Sequence, residues 1–140
     1  MRWKIIEDKN IADVLIEVYG KNEEDLFANV LDAFTDTITK IDRVRKEEET
    51  SIKITGKNLQ DLVLNFINQL VYLKDTSLLL FRSGKFKVTY TEQGYSLFSI
   101  LTGQKITKNL PIKTDVKAVT LHKFKIQKIG KMYKVSLRMV

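Results

Sequence analysis

Along this chain the spacing of apolar residues switches twice from a period of two to a period near 3.6 and back, and each switch predicts an element boundary. Trp3 to Ile6 and Asp13 to Tyr19 read as strands. In the second, Val14, Ile16 and Val18 alternate with Leu15, Glu17 and Tyr19, so one face is wholly apolar, and Gly20 ends it. Asn22 then stands where its side chain can cap a helix, with Glu23, Glu24 and Asp25 at the helix's positive end. Leu26, Phe27, Val30, Leu31, Phe34 and Ile38 follow at spacings of three and four, which predicts an amphipathic helix facing a core and ending near Thr39. In the charged run from Arg43 to Glu49, Glu47-Glu48-Glu49 reads as a solvated loop. Ser51 to Thr55 is a short strand closed by Gly56. Asn58 caps a second helix whose stripe from Leu59 to Leu73 is broad enough to be covered on more than one side.

Asp75 ends that helix or ties the turn beyond it, and period two returns. Strands are predicted over Leu78 to Arg82, Phe86 to Thr91, Tyr95 to Thr102, Asp115 to Lys128 and Met132 to Val140. Ser83-Gly84 and Gln93-Gly94 mark tight turns between them, Asn109-Leu110-Pro111 a looser one, and Gly130 the last hairpin. No internal repeat, low-complexity tract or linker interrupts the pattern. The order predicts an α+β domain, with two amphipathic helices packed on predominantly antiparallel sheet. Residues 1–140 are expected to form one domain, a length that buries roughly two thirds of the unfolded chain's surface without metal or disulfide support.

Composition narrows the setting. There is no cysteine, so disulfides and thiolate metal sites are excluded and a reducing compartment is expected. The start, Met1 to Asp8, lacks the apolar core of a signal peptide, and stretches such as Leu78 to Phe81 are far too short to span a bilayer. We therefore expect a soluble, cytoplasmic protein that does not enter membranes. The net charge of +7 is polarised: from Lys105 to Val140 ten basic residues face one acidic residue, Asp115, while the rest is nearly balanced. Such a stretch attracts polyanions by counterion release, tRNA among them, or is simply solvated lysine on outer strand faces.

Candidate chemistry is sparse. The chain has no Gly-rich phosphate loop, no HExxH, no Cys/His cluster and no Ser-His-Asp series, so a self-contained enzyme is not expected. Asp13 follows Ile11 and Ala12 at the entrance to an apolar strand, where a charge needs a partner, a metal or open water; the plainer alternative is that it caps a turn. His122, the only histidine, is either a satisfied structural residue or a site-lining hydrogen-bond donor. Lys117 is either an exposed lysine or an anchor for a phosphate or carboxylate.

Three ordered stretches carry a family resemblance. Val116-Lys117-Ala118-Val119-Thr120-Leu121-His122 resembles the VKAVT-x-H signature of the archease family. Ile11-Ala12-Asp13-Val14-Leu15-Ile16 with Tyr19-Gly20 is similar to its HTADVGI…YG opening, and Asn65 to Asp75 resembles its DFLNELLYL-x-D helix. The resemblance implies two helices set against sheets, with the chain's ends close in space. It implies an accessory protein in tRNA processing, activating the GTP-dependent tRNA-splicing RNA ligase or modulating a tRNA cytosine methyltransferase. Members are thought to offer a metal-bearing tip to the ligase and to promote guanylyl transfer to its histidine. The implied metal ligands are the Asp of HTAD, here Asp13, and an Asp next to the C-terminus.

This chain departs from the pattern around that site. Asn10 stands for the HTAD histidine, Gly103-Gln104 for Gly-Glu, and Met139-Val140 for the terminal Asp and its neighbour. Methionine is a soft ligand that calcium or magnesium would not choose. If the chain ends at Val140, its terminal carboxylate is a partial substitute, and a divalent cation is expected to bind weakly or not at all. A second reading is a stand-alone RNA-binding domain using Lys123, Lys125 and Lys128; the lack of an exposed aromatic pair in an RRM-like sequence counts against base stacking.

Overall fold

The computed structural model describes residues 2–7, 14–117 and 119–139, with Glu7 and residues 119–124 described by their backbone alone. The elements run β1 (Trp3–Glu7), β2 (Val14–Gly20), α1 (Glu23–Ile38), β3 (Glu48–Gly56), α2 (Leu59–Ser77), β4 (Leu79–Thr91), β5 (Gly94–Lys105), β6 (Val119–Ile129) and β7 (Met132–Met139), with a 3-10 turn at Ile41–Arg43. One sheet has the order β1-β2-β7-β6 and the other β3-β5-β4, and every pairing is antiparallel. Each helix touches both sheets: α1 packs on β2 and β4, α2 on β3, β4, β5 and β6. The expected α+β class is what the chain adopts.

The alternation in β2 does what its pattern requires. Val14, Ile16 and Val18 are buried, and across the ladder they meet the buried Met139, Leu137 and Val135 of β7. Phe66 of α2 stands edge-on to Phe27 of α1 at 5.4 Å and to Phe86 of β4 at 5.9 Å, so one aromatic chain joins the two helices to the second sheet. α2 is covered by both sheets, as its broad stripe predicts. α1, read as one-faced, is buried nearly all round, including Asn29, Asp32, Thr35 and Thr37. Most of these polar groups are satisfied by distant parts of the chain: Thr35 Oγ1 donates to Phe81 O at 2.7 Å, and Asp32 and Asn29 hold Arg2.

Several boundaries differ from the sequence reading. Ser83-Gly84 is no turn: β4 runs through it, and the register against β5 slips between Phe81 and Ser83, which is a β-bulge. Both halves pair with the same strand, so the Ser-Gly pair has nothing to turn towards. Glu48 and Glu49 belong to β3, opposite Gly103 and Thr102, rather than to a loop. They are exposed on an edge strand, a place where charge is at home. β6 begins at Val119 instead of Asp115, because Lys113 N and Thr114 N donate to Ile38 O and pin this stretch to the end of α1. α2 runs on through Asp75 to Ser77 and ends on Leu78 in the left-handed conformation (φ 55°).

A repeat missed in the sequence also emerges. Residues 20–29 and 56–65 share Gly-Lys-Asn-x-x-Asp-Leu-x-x-Asn, and each copy joins a strand to a helix. Asp25 N and Asp61 N each donate to the capping Asn22 and Asn58 Oδ1 at 2.8 Å. The same aspartates accept from Lys21 N and Lys57 N, and Asn29 and Asn65 donate back to Tyr19 O and Thr55 O. Glycine is required in both copies, since a Cβ at Gly20 or Gly56 would lie under 3 Å from the backbone of Leu26 or Leu62. The motif is short and its flanking residues differ, so it shows only when the hydrogen bonds are superposed.

Candidate functional site

One end of the molecule gathers the start of β2, the start of β6, the end of β7, the end of β5 and the C-termini of both helices. Its backbone frame is the row Val14, Met139, Val119, in which Met139 pairs with Val14 on one side and Val119 on the other. The chain therefore enters Val14 from residue 13, leaves Met139 towards residue 140, and reaches Val119 from Lys117. Asp13, Asn10 and Val140 themselves lie outside the described residues. His122 and Lys123 are described by backbone alone, inside the stretch of β6 where the register against β7 slips between Thr120 and Lys125.

Of the remaining site residues, Lys117 is exposed and follows the fully buried Val116. Met139 is 1% exposed and belongs to the hydrophobic core. Its side chain therefore brings no oxygen to the end of β7, and a hard cation gains nothing from the thioether. Among the described residues, no group of three or more His, Cys, Asp or Glu is placed to share a metal ion. Gln104 is buried and fully employed: Oε1 accepts from Arg45 N at 2.7 Å and Nε2 donates to Lys105 O at 3.1 Å. Gly103 beside it leaves no room for a side chain, because a Cβ there would lie 1.9 Å from Leu80 O.

Sequence reasoning overlooked Lys74. It is 4% exposed, and its ammonium donates to Asp75 Oδ1 at 2.5 Å and to Asp115 Oδ1 at 2.8 Å. Burial pulls its pKa down, but the two hydrogen-bonded carboxylates more than offset that, so the amine titrates above its usual range. The hydrogen bond from Lys74 holds the Asp115 carboxyl below its usual range. The signal was present in the chain, since Lys74 continues the buried row of Ile67, Leu70 and Val71 around the same helix face. A cavity of about 230 Å³ beside it is lined by Ile38, Leu78, Ile106 and Ile112 together with the ion-paired Lys74, Asp75 and Asp115.

The other lysines spread out. Lys125 and Lys128 are exposed, but they are three residues apart on one strand and so point to opposite faces of β6. Lys128 leans over the Tyr133 ring at 5.6 Å, at the far end of the molecule. An aromatic pair does lie there, half of it covered: Tyr90, 70% exposed, faces the partly buried Tyr95 across the β4–β5 ladder with ring centroids 4.8 Å apart. Its partner lies across a hairpin, which is why a linear motif did not show it. Burial, then the nearby Glu23 carboxylate, raises the pKa of Tyr95 and of Tyr133, so a negative field reaches these rings.

Comparison with known proteins follows the same outline. The model of the archease protein family (MTH1598/TM1083) matches residues 3–138. The protein archease of Pyrococcus abyssi is 35% identical over 91% of this chain and 89% of its own, and that of Archaeoglobus fulgidus 29% over 95% and 94%. The chain belongs to the archease family. Its fold is also that of solved family structures. The solution structure of protein 1598 from Methanobacterium thermoautotrophicum superposes with a TM-score of 0.81 at 24% identity, covering 98% of this chain and 96% of that one. An archease from Thermotoga maritima, described as a possible chaperone, gives 0.63 at 18% identity over 99% and 96%. In this archease-family chain the described residues at the end of β7 offer a thioether where a carboxylate would be needed, and they do not fit a hard cation. No helix among the described residues is long and apolar enough to cross a membrane.

Proposed function

We propose that this protein is an accessory factor in tRNA processing that activates the GTP-dependent tRNA-splicing RNA ligase, raising its guanylylation and turnover. Family membership supports the reading, together with one observation of the chain itself. Two of the segments that carry the resemblance, at Val14 and Val119, are brought into one row of the sheet by Met139, which pairs with both. A partner enzyme could engage both at once. The protein supplies surface rather than chemistry, with Lys117 and His122 as contacts toward the ligase. Divalent cation binding is weak or absent, and Asp13 would be a ligand of any calcium or magnesium that does bind. Modulation of a tRNA cytosine methyltransferase is the second reading, and it uses the same end of the molecule.

Multiple-turnover RNA ligation by the ligase of the same organism, with and without this protein, tests the proposal, with guanylylated ligase followed in parallel. Faster turnover with more guanylylated ligase is expected. No effect with the two proteins still co-purifying would mark a binder that no longer activates, and no effect without association would favour the methyltransferase or direct tRNA binding. An Asp13→Ala variant with unchanged cation binding and unchanged activation would remove Asp13 from the account.

A further inference from the structure

We infer that the recess between residues 43–47 and 104–110 is a phosphate-binding pocket. It has a volume of about 260 Å³ and lies where the chain after α1 faces the chain after β5. Arg43, Arg45 and Glu47 form one wall; Gln104, Thr107 and Asn109 form the other, with Leu110 buried at the base. Phosphate asks for this combination of guanidinium donors, amide N–H and hydroxyl.

Both walls are fixed before any ligand arrives. Val44, 3% exposed, anchors the first, so Arg43 and Arg45 on either side of it are held at the surface, where both line the recess. Arg45 N donates to the buried Gln104, and Glu47 N donates to Gly103 O at 2.9 Å, tying that wall to the end of β5. The second wall is a turn closed by Leu110 N to Thr107 O at 3.1 Å, and Thr39 Oγ1 donates to Pro111 O at 2.5 Å to hold it against α1. Among the described residues, the side chains of Arg43, Thr107 and Asn109 make no hydrogen bond or ion pair, so their donors are available.

Charge favours an anion. Residues 40–47 carry Lys40, Arg43, Arg45 and Lys46 against Asp42 and Glu47, and residues 105–117 carry four lysines against Asp115 alone. Asp115 is already engaged by Lys74. Glu47 is the one carboxylate in the pocket, and its 3.8 Å contact with Arg45 joins two exposed side chains, a pair that an incoming phosphate displaces readily. The phosphate is that of an RNA strand or of a free nucleotide; the chemistry is shared and the partner enzyme does not enter the inference.

Inorganic phosphate titrated into the full-length protein, followed by backbone amide NMR, is the first test. Shifts at Arg43, Arg45, Thr107 and Asn109, with none at Lys128 or Tyr133, are expected. An Arg43→Ala/Arg45→Ala double variant should abolish them while leaving the melting temperature near that of the parent, since both side chains are exposed. Gln104→Glu keeps the acceptor for Arg45 N and adds a negative charge, so it should weaken phosphate binding severalfold. Single-stranded RNA and a nucleoside triphosphate are then compared, and the tighter of the two names the source. For RNA, the double variant should lower the salt dependence of log K by about 0.7 for each backbone phosphate it no longer neutralises. No phosphate-induced shift at these four residues, or shifts that survive the double variant, would overturn the inference.

Discussion

Lys74 shows how one side chain can decide the chemistry of a surface. Its ammonium is buried while its partners are half exposed, with Asp75 and Asp115 side chains at 51% and 60%. Removing a partner strands a buried charge; removing the lysine strands nothing, because both carboxylates keep their water. We therefore expect Asp115→Ala to destabilise the protein by about 1–2 kcal/mol, below the 3–5 kcal/mol of a fully buried pair because Asp75 remains. Lys74→Met, which continues the apolar wall of Ile38, Leu78, Ile106 and Ile112, should be neutral or stabilising. Urea unfolding of the two variants checks the asymmetry, and equal losses would sink it. The pH dependence has a definite sign. The Asp115 carboxyl is depressed, so its contribution is present above about pH 4 and is lost as pH falls through its folded value. The Lys74 amine is raised, so its contribution holds below about pH 10 and is lost as pH rises through its folded value. The parent should thus lose more stability than Lys74→Met on acidification below pH ~4. Gly103 is a second decisive residue: with Leu80 O in the space of a Cβ, Gly103→Ala must part β4 from β5 beside the bulge. A loss of about 4 kcal/mol or more is expected, among the largest that single substitutions give.

At the scale of elements, the two strand–Gly-Lys-Asn–helix junctions act as matched devices. Asn22→Ala and Asn58→Ala each remove one cap acceptor and should each lower stability by about 1 kcal/mol, or about 2–6 °C in Tm. The caps share no partner, so the double variant should show the sum within about 0.5 kcal/mol; a clear excess would mean that the helices depend on one another for their starts. These junctions also mark what could be read from the chain. Local signals sufficed for β2, both helix starts and the last hairpin, because alternation and caps act between near neighbours. The bulge at Ser83-Gly84 was opaque, since only pairing of both halves with β5 distinguishes it from a turn. The envelopment of α1 was opaque for the same reason: Asn29, Asp32 and Thr35 look like an outer face until Arg2 and Phe81 O are seen to meet them. At the candidate site, Met139 was legible as a missing carboxylate but not as a core residue, and the pocket between Arg43 and Asn109 joins segments far apart in sequence.

At the scale of the whole molecule the two ends differ in kind. One collects the row Val14–Met139–Val119, the arginine-lined pocket and the lysines of residues 105–117; the other carries helix N-termini with Glu23, Glu24, Asp25 and Asp61, and tyrosines within reach of Glu23. An accessory protein that works by docking should put its function at the first end, whereas an RNA binder relying on the long basic strands would use both. Lys117→Ala and Lys128→Ala separate the two, for each removes one exposed lysine and they lie at opposite ends of β6. If the first end docks on the ligase, Lys117→Ala should reduce activation about tenfold, a change worth about 1.4 kcal/mol, while Lys128→Ala leaves it unchanged. Equal, small effects of both on ligation, accompanied by equal losses of tRNA affinity, would instead assign the activity to a diffuse positive surface. Neither side chain is buried and neither makes an ion pair among the described residues, so stability should not confound the comparison. Matching melting curves for the two variants would confirm that the difference in ligation reports docking alone.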